Sequence, residues 1–169
     1  MKYVKIVFMD RLSIIGGVPL KGEVGISGSK NAALPVIAAS ILSPGENVIL
    51  GIPDLMDIKT MGRLLSHMGA KFIRQGSKII VDTKSIKLFE APYELVKTMR
   101  ASALVLGPLL ARFGRATVSL PGGCAIGARP INLHLSGLQK MGATIELQSG
   151  YVLAKANRLR GASIYFDTI

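Results

Sequence analysis

Hydrophobic positions along the chain follow two periods, and their alternation predicts an α/β protein. Apolar residues three and four apart predict helices at 32–42, from Asp57 to Gly69, from Pro92 through Phe113 with a kink at Pro108, and at 132–141. Short apolar runs bounded by turn residues predict strands at 11–15, 21–26, 47–50, 71–74, 78–82, 116–120, 144–147, 151–154 and 161–166. Hairpin turns are predicted at residues 75–77 and 149–150.

The order of these elements repeats once along the chain. The helix at 32–42 matches residues 101–111, a shift of 69, and Met68-Gly-Ala70 matches Met141-Gly-Ala143, a shift of 73. Each unit is therefore a helix, a strand, a helix and a hairpin. The four-residue difference between the shifts falls between Leu120 and Leu138, around the single cysteine. An insertion into one copy of a repeated scaffold is a place where function tends to be added.

The inserted segment contains Leu120-Pro-Gly-Gly-Cys-Ala-Ile-Gly-Ala-Arg-Pro-Ile-Asn-Leu-His134. Glycines on both sides of Cys124 allow a tight loop. The nearby guanidinium of Arg129 favours a thiolate, so Cys124 is a candidate acid or nucleophile. The alternative is a small apolar residue in a turn, because free cysteine is often buried. The insertion favours the functional interpretation.

A second candidate site lies where Ser27-Gly-Ser-Lys-Asn31 precedes the first apolar helix. These residues predict a capped helix whose free N–H groups, Lys30 and Asn31 attract an anion, although an ordinary capped helix with a solvated lysine has the same pattern. The repeat places Arg100 opposite Asn31. We therefore expect both helix starts to converge on one anionic ligand, unless Arg100 is a surface arginine.

Composition and charge narrow the function classes. Hydrophobic residues make up 49% of the chain and Trp is absent, which predicts an aliphatic core, and the net charge of +11 favours anionic partners. Basic residues are scattered and not interleaved with aromatics, so small phosphorylated molecules are favoured over nucleic acid. One cysteine and two distant histidines predict no metal site. A lone thiol and short apolar runs indicate a cytoplasmic protein without a membrane span.

Three motifs resemble those of the UDP-N-acetylglucosamine 1-carboxyvinyltransferase family, the enolpyruvyl transferases of peptidoglycan synthesis. They are Ser27-Gly-Ser-Lys-Asn-Ala-Ala-Leu-Pro35, Val96-Lys-Thr-Met-Arg-Ala-Ser102 and Leu120-Pro-Gly-Gly-Cys-Ala-Ile-Gly-Ala-Arg-Pro130. The resemblance implies an incomplete inside-out α/β lobe of βαβαββ-type units, with internal helices and outer sheets. It implies that residues 27–91 and 92–169 are two of three units in a first lobe, and that residues 9–26 hold strands docked on the other lobe. Residues 1–8 are expected to be a non-native extension, since Met9 is a second plausible start.

The resemblance also implies a reaction without cofactor or metal. The 3′-hydroxyl of UDP-N-acetylglucosamine attacks C2 of phosphoenolpyruvate while C3 is protonated, and phosphate then leaves. By similarity, Cys124 donates that proton, can be held as a covalent adduct, and is alkylated by fosfomycin. Lys30, Asn31 and Arg129 resemble the phosphoenolpyruvate site, where fixed cations stabilise the anion.

Other positions resemble contacts of the nucleotide sugar. They are Arg100, Arg129, Pro130, Ile131, Asn132 and Leu133, with Thr168 and Ile169 as weaker candidates. Asn132 stands where the family usually has Asp, Leu104 where many members have Trp, and Thr168 where Lys is common. The first change removes a charge and the second an aromatic contact near the sugar.

Family members continue beyond the position of Ile169 with a third unit and a second lobe, which carries the base for the sugar hydroxyl. We therefore expect little or no turnover from this chain alone, and a complementary chain as a partner if the second lobe is made separately. Two alternatives are enolpyruvyl transfer to shikimate 3-phosphate on the sister fold and a non-catalytic basic binding module. The cysteine loop favours the nucleotide-sugar enzyme.

Overall fold

The computed structural model describes residues 16–17, 19, 21–97, 99–120 and 131–165. The predicted strand at 11–15, the expected extension at 1–8, and the candidates Cys124, Arg129, Pro130, Thr168 and Ile169 lie outside these residues. Within the described ranges, the element order confirms the predicted helix, strand, helix and hairpin used twice.

The first unit opens on a capped helix. The Oγ of Ser29 accepts a hydrogen bond from the N–H of Ala32 at 3.3 Å, which caps the first turn. The elements of this unit are α1 (Lys30–Ala39), a 3-10 turn (Ser40–Leu42), β1 (Glu46–Ile49), α2 (Met56–His67), β2 (Lys71–Gln75) and β3 (Lys78–Asp82). Gly69 follows α2 with φ of +101°, the left-handed conformation that ends many helices.

The second unit repeats the first with additions at its start. Its elements are β4 (Glu90–Ala91), α3 (Tyr93–Val96), a 3-10 helix (Arg100–Val105), α4 (Leu106–Phe113), β5 (Arg115–Ser119), α5 (Asn132–Lys140), β6 (Thr144–Gln148) and β7 (Tyr151–Lys155). Gly142 follows α5 with φ of +98°, matching Gly69 of the first unit. The two-residue strand β4 was not predicted.

Strand pairing shows the same repeat in three dimensions. The first sheet has the antiparallel order β1-β3-β2, and the second has β5-β7-β6 with β4 added parallel to β5. Asn47 lies opposite Val81 in the first sheet, and Ala116 lies opposite Ala154 in the second. These pairs are related by the shifts of 69 and 73 seen in the sequence.

One aliphatic core joins the two units. Among the described residues, buried side chains of α1, α2, α4 and both sheets form a single cluster. Ile37, Leu64, Leu109 and Val118 are all fully buried within it. Helix α1 packs against α2 and against the 3-10 helix Arg100–Val105.

Two predicted strands are wrong where the structure describes them. Residues 21–26 form no strand, and Val24 and Ile26 are 83% and 91% exposed. Residues 161–165 also form no strand. Alternating residues become a strand only beside a partner that accepts their backbone hydrogen bonds, and no described strand pairs with either segment.

The single helix predicted from Pro92 to Phe113 is also wrong. Helix α3 ends at Val96, and Met99 is extended, with φ of −152°, before the 3-10 helix begins. Pro108 makes no break, because it is the third residue of α4. Amide groups in the first turn have no partner within the helix, so proline is tolerated there.

Candidate active site

An ion pair joins the first turns of α1 and α2. Lys30 is the first residue of α1, and its Nζ lies 2.7 Å from Oδ2 of Asp57, the second residue of α2. The two side chains are 40% and 31% exposed, so the pair is reachable from solvent. A helix N-terminus carries a partial positive charge. The corner made by Lys30 and the first turn of α1 is therefore cationic, with Asp57 as its counter-ion.

Asn31 lies beside this pair as the exposed second residue of α1. Pro35, four residues later, lies inside the helix and has no N–H to donate to the Asn31 carbonyl. The amide side chain and the carbonyl of Asn31 thus add polar groups to the same turn as Lys30.

The loop that leads into α2 is held by Arg74 on β2. The guanidinium donates hydrogen bonds to the carbonyls of Ile52 at 3.1 Å and Pro53 at 3.2 Å. The N–H of Ile52 donates to the Ser77 carbonyl at 2.8 Å in the hairpin turn. The entry to α2, and with it Asp57, is thereby tied to the first sheet.

The loop that leads into α1 touches the same structure. A Cβ added at Gly28 would lie 1.8 Å from the Gly51 carbonyl oxygen, so only glycine allows this approach. Both loops line a cleft of about 740 Å³, together with Asp54 and Arg74. Close contact between the two loops sets the distance between the starts of α1 and α2.

Arg100 stands at the start of a 3-10 helix rather than an α-helix. Its side chain is half-buried, and its helix packs against α1. The residue that the sequence repeat matches to Asn31 therefore begins a 3-10 helix and not an α-helix. Convergence of Arg100 and Lys30 on one ligand stays a prediction.

The start of α5 presents the described part of the predicted nucleotide segment. Ile131 is the half-buried N-cap, and Asn132 and Leu133 are exposed at the first two positions of α5. Leu133 lines an apolar cavity of about 270 Å³ together with His134 and Leu104. Because Leu104 belongs to the 3-10 helix Arg100–Val105, that helix neighbours both α1 and α5.

Sequence reasoning missed Asp57 and Arg74. Acidic residues are common in the first turn of a helix because they interact favourably with the helix dipole. The position of Asp57 therefore gave no reason to expect a contact with Lys30. The position of Cys124 and Arg129 relative to Lys30 lies outside the described residues and stays a prediction. The buried hydroxyl oxygen of Ser102 has no hydrogen-bond partner among the residues that the structure describes.

Another ion pair involves α3. Lys97 donates a hydrogen bond to the Glu94 carboxylate, which raises the pKa of this exposed lysine above its ordinary value. Within the described residues, no group of three His, Cys, Asp or Glu side chains is arranged to hold a metal ion. No helix in those residues has the length and apolar character needed to cross a bilayer.

Comparison with known proteins assigns the chain to a family. The family model of EPSP synthase (3-phosphoshikimate 1-carboxyvinyltransferase) matches residues 14–169. UDP-N-acetylglucosamine 1-carboxyvinyltransferases from Thermodesulfovibrio yellowstonii and Geotalea uraniireducens are each 61% identical over 159 residues, covering 94% of this chain and 38% of the relative. The chain thus spans about two fifths of the length of the curated relatives it matches.

Solved structures confirm the expected fold. The enolpyruvyl transferase NikO from Streptomyces tendae matches with a TM-score of 0.71 and 26% identity, over 83% of this chain and 31% of NikO. EPSP synthase from Acinetobacter baumannii shares the fold, with a TM-score of 0.62 and 17% identity over 83% of this chain and 33% of that protein. With its doubled unit, its capped α1 and these relatives, the chain belongs to the EPSP synthase family of enolpyruvyl transferases.

Proposed function

We propose that this chain supplies part of the substrate site for transfer of the enolpyruvyl group of phosphoenolpyruvate to UDP-N-acetylglucosamine, the first committed step of peptidoglycan synthesis. The observation that carries the proposal is the 61% identity to enzymes named for this reaction. The cationic corner formed by Lys30 on α1 supports it, because phosphoenolpyruvate is a small anion with a phosphate and a carboxylate.

In this proposal Lys30 and Asn31 bind the anion, and Arg129 adds a second fixed cation. The 3′-hydroxyl of the sugar gives its proton to a base of the proposed complementary chain while its oxygen forms a bond to C2 of phosphoenolpyruvate. The electrons of the C2–C3 double bond take a proton from the Cys124 thiol, which becomes a thiolate. The Cys124 thiolate then takes a proton back from C3 while the bond from C2 to the phosphate oxygen breaks, which gives the enol ether and phosphate. Lys30 contributes by stabilising negative charge on the anion throughout.

The nucleotide sugar would lie across the starts of α5 and the 3-10 helix. Arg100, Asn132 and Leu133 are the described candidates for its contacts, and their elements are neighbours. A base for the sugar hydroxyl is not assigned to any residue of this chain. A complementary chain remains a proposed partner for that role, and a cytoplasmic location remains a prediction.

The test is covalent labelling of the purified 169-residue chain by fosfomycin, read by intact mass and peptide mapping. We expect one adduct, on Cys124, which forms faster when UDP-N-acetylglucosamine is present. Cys124→Ser should take up no label, and Lys30→Ala should label more slowly. Absence of labelling with and without the nucleotide sugar would contradict the proposal.

Phosphate release from phosphoenolpyruvate distinguishes the alternative acceptor. UDP-N-acetylglucosamine should stimulate any release by the chain, whereas stimulation by shikimate 3-phosphate alone would favour the sister reaction. Curated relatives that are 56–61% identical over about 94% of the chain carry the nucleotide-sugar name, which is why we prefer that acceptor. A salt-sensitive gel shift with RNA, without labelling or phosphate release, would instead indicate a basic binding module.

A further inference from the structure

We infer that Asp57 is a positioning residue for Lys30, holding its ammonium group at the start of α1 before the anionic substrate arrives. The inference rests on the proposed function, since it names the residue that prepares the proposed phosphoenolpyruvate site. It is carried by the 2.7 Å contact between Nζ of Lys30 and Oδ2 of Asp57.

A lysine at the first position of a helix needs such a partner. The first turn of α1 carries partial positive charge, which disfavours a cation there. The flexible four-carbon stem of lysine would let the ammonium move into solvent. No acidic residue lies in the first turn of α1, so the counter-charge comes from α2.

The negative charge of Asp57 need not repel the substrate strongly. Asp57 lies in the first turn of α2, where the helix supplies the equivalent of about half a unit of positive charge. The loop before α2 is fixed through Arg74 and Ile52, so Asp57 itself is held in place. The net result is an oriented ammonium group beside a partly neutralised carboxylate.

The test measures binding of phosphoenolpyruvate to the full chain by calorimetry in a double-mutant cycle. Asp57→Asn should raise the Kd about tenfold, a coupling typical of residues in direct contact. Asp57→Glu should recover part of the affinity. In a Lys30→Ala background, Asp57→Asn should change the Kd less than about twofold, because the residue that it positions is gone.

The matched control is Glu94→Gln. Glu94 is also in the first turn of a helix, α3, and is also paired with a lysine, Lys97. Its substitution should leave the Kd for phosphoenolpyruvate within about twofold of the wild-type value. NMR order parameters of the lysine ammonium groups give a second readout. The order parameter of the Lys30 ammonium group should fall in Asp57→Asn and stay near its wild-type value in Asp57→Glu.

The possible results separate the two ideas. Wild-type affinity in a folded Asp57→Asn variant would overturn the inference and leave the proposed function standing. An equal loss with Lys30 present and absent would show a structural role for Asp57 and would also overturn it. If the wild-type chain binds no phosphoenolpyruvate, the proposed function fails first and the inference fails with it. If Asp57→Asn does not fold, the Asp57→Glu variant tests the inference instead. An Asp57→Glu variant with wild-type affinity and a disordered Lys30 ammonium group would overturn it.

Discussion

Arg112 links the two units through a single side chain. Its Nη1 lies on α4 of the second unit and donates hydrogen bonds to the Ile41 carbonyl at 2.8 Å and to Oγ1 of Thr83 at 3.0 Å. The Thr83 hydroxyl in turn donates to the Ser43 carbonyl at 2.5 Å. The Arg112 guanidinium of the second unit therefore satisfies two hydrogen-bond acceptors of the first unit.

We expect Arg112→Met to lower the free energy of unfolding by about 1–3 kcal/mol, because the partly buried acceptors lose a charged donor. Urea unfolding followed by circular dichroism measures this. Arg115→Met is the control, since Arg115 is exposed and stacks on Phe89 at 4.5 Å, a contact of about 0.5–1 kcal/mol. Equal effects of the two substitutions would contradict the assigned role of Arg112.

Residues whose role is local could be predicted from the sequence, and residues that act across the fold could not. Ser29 as a helix cap and Gly69 as a helix stop depend on neighbours within a few positions. The partner of Asp57 lies 27 positions away in the sequence. The two partners of Arg112 lie 71 and 29 positions away. Such partners are chosen by helix packing, which the local pattern does not contain.

At the scale of elements, the two helix stops Gly69 and Gly142 share a backbone conformation but not their surroundings. Their φ angles are +101° and +98°. A Cβ added at Gly69 would lie 2.6 Å from the Ser85 carbonyl oxygen, whereas one at Gly142 would have its nearest contact at 3.9 Å, with the Arg158 oxygen. The pair therefore separates conformational strain from crowding.

We expect Gly142→Ala to cost about 1 kcal/mol, from the left-handed conformation alone. Gly69→Ala should cost at least about 2 kcal/mol more, because the Ser85–Ile86 backbone must move away from the new methyl group. Thermal or urea unfolding of the two variants gives the comparison. Similar losses of unfolding free energy in the two variants would contradict this prediction, because they would show that the Ser85–Ile86 backbone moves away at little cost.

Elements could be predicted where the chain supplies its own partner. Both hairpins pair with themselves, and the structure confirms the predicted strand and helix that precede each hairpin. The pattern at 93–113 could not distinguish α from 3-10 geometry, because apolar residues three apart share a face in both kinds of helix. Segments 21–26 and 161–165 carry strand-like residues, but no described strand pairs with them.

At the scale of the whole molecule, the described units share one core. Ile41 and Met61 of the first unit and Leu110 and Val152 of the second belong to the same buried cluster. We therefore expect a single cooperative unfolding transition, with coincident urea curves from circular dichroism and from tyrosine fluorescence. Tyr151 is a suitable reporter, since its hydroxyl accepts a hydrogen bond from the Tyr93 N–H at 3.4 Å. Two separate transitions would contradict a shared core.

The fold class could be predicted because an internal repeat and a family resemblance pointed to the same architecture. The candidate site was predicted only in part. Lys30 and Asn31 lie on the first turn of a capped helix, as expected, but the partner that holds Lys30 comes from a different helix. The thiol of Cys124 remains tied to the site by resemblance alone.

The short strand β4 has a consequence for how the chain can be divided. The boundary predicted from the sequence, between residues 91 and 92, assigns Glu90 and Ala91 to the first unit, yet they pair with Thr117 and Val118 at the border of the second sheet. If the gene were divided after the codon for Ala91, the second product would lack β4 at the border of its sheet. The first product would end in β4 without a strand to pair with. The duplicated halves are thus interleaved, and neither is an independent building block for recombination.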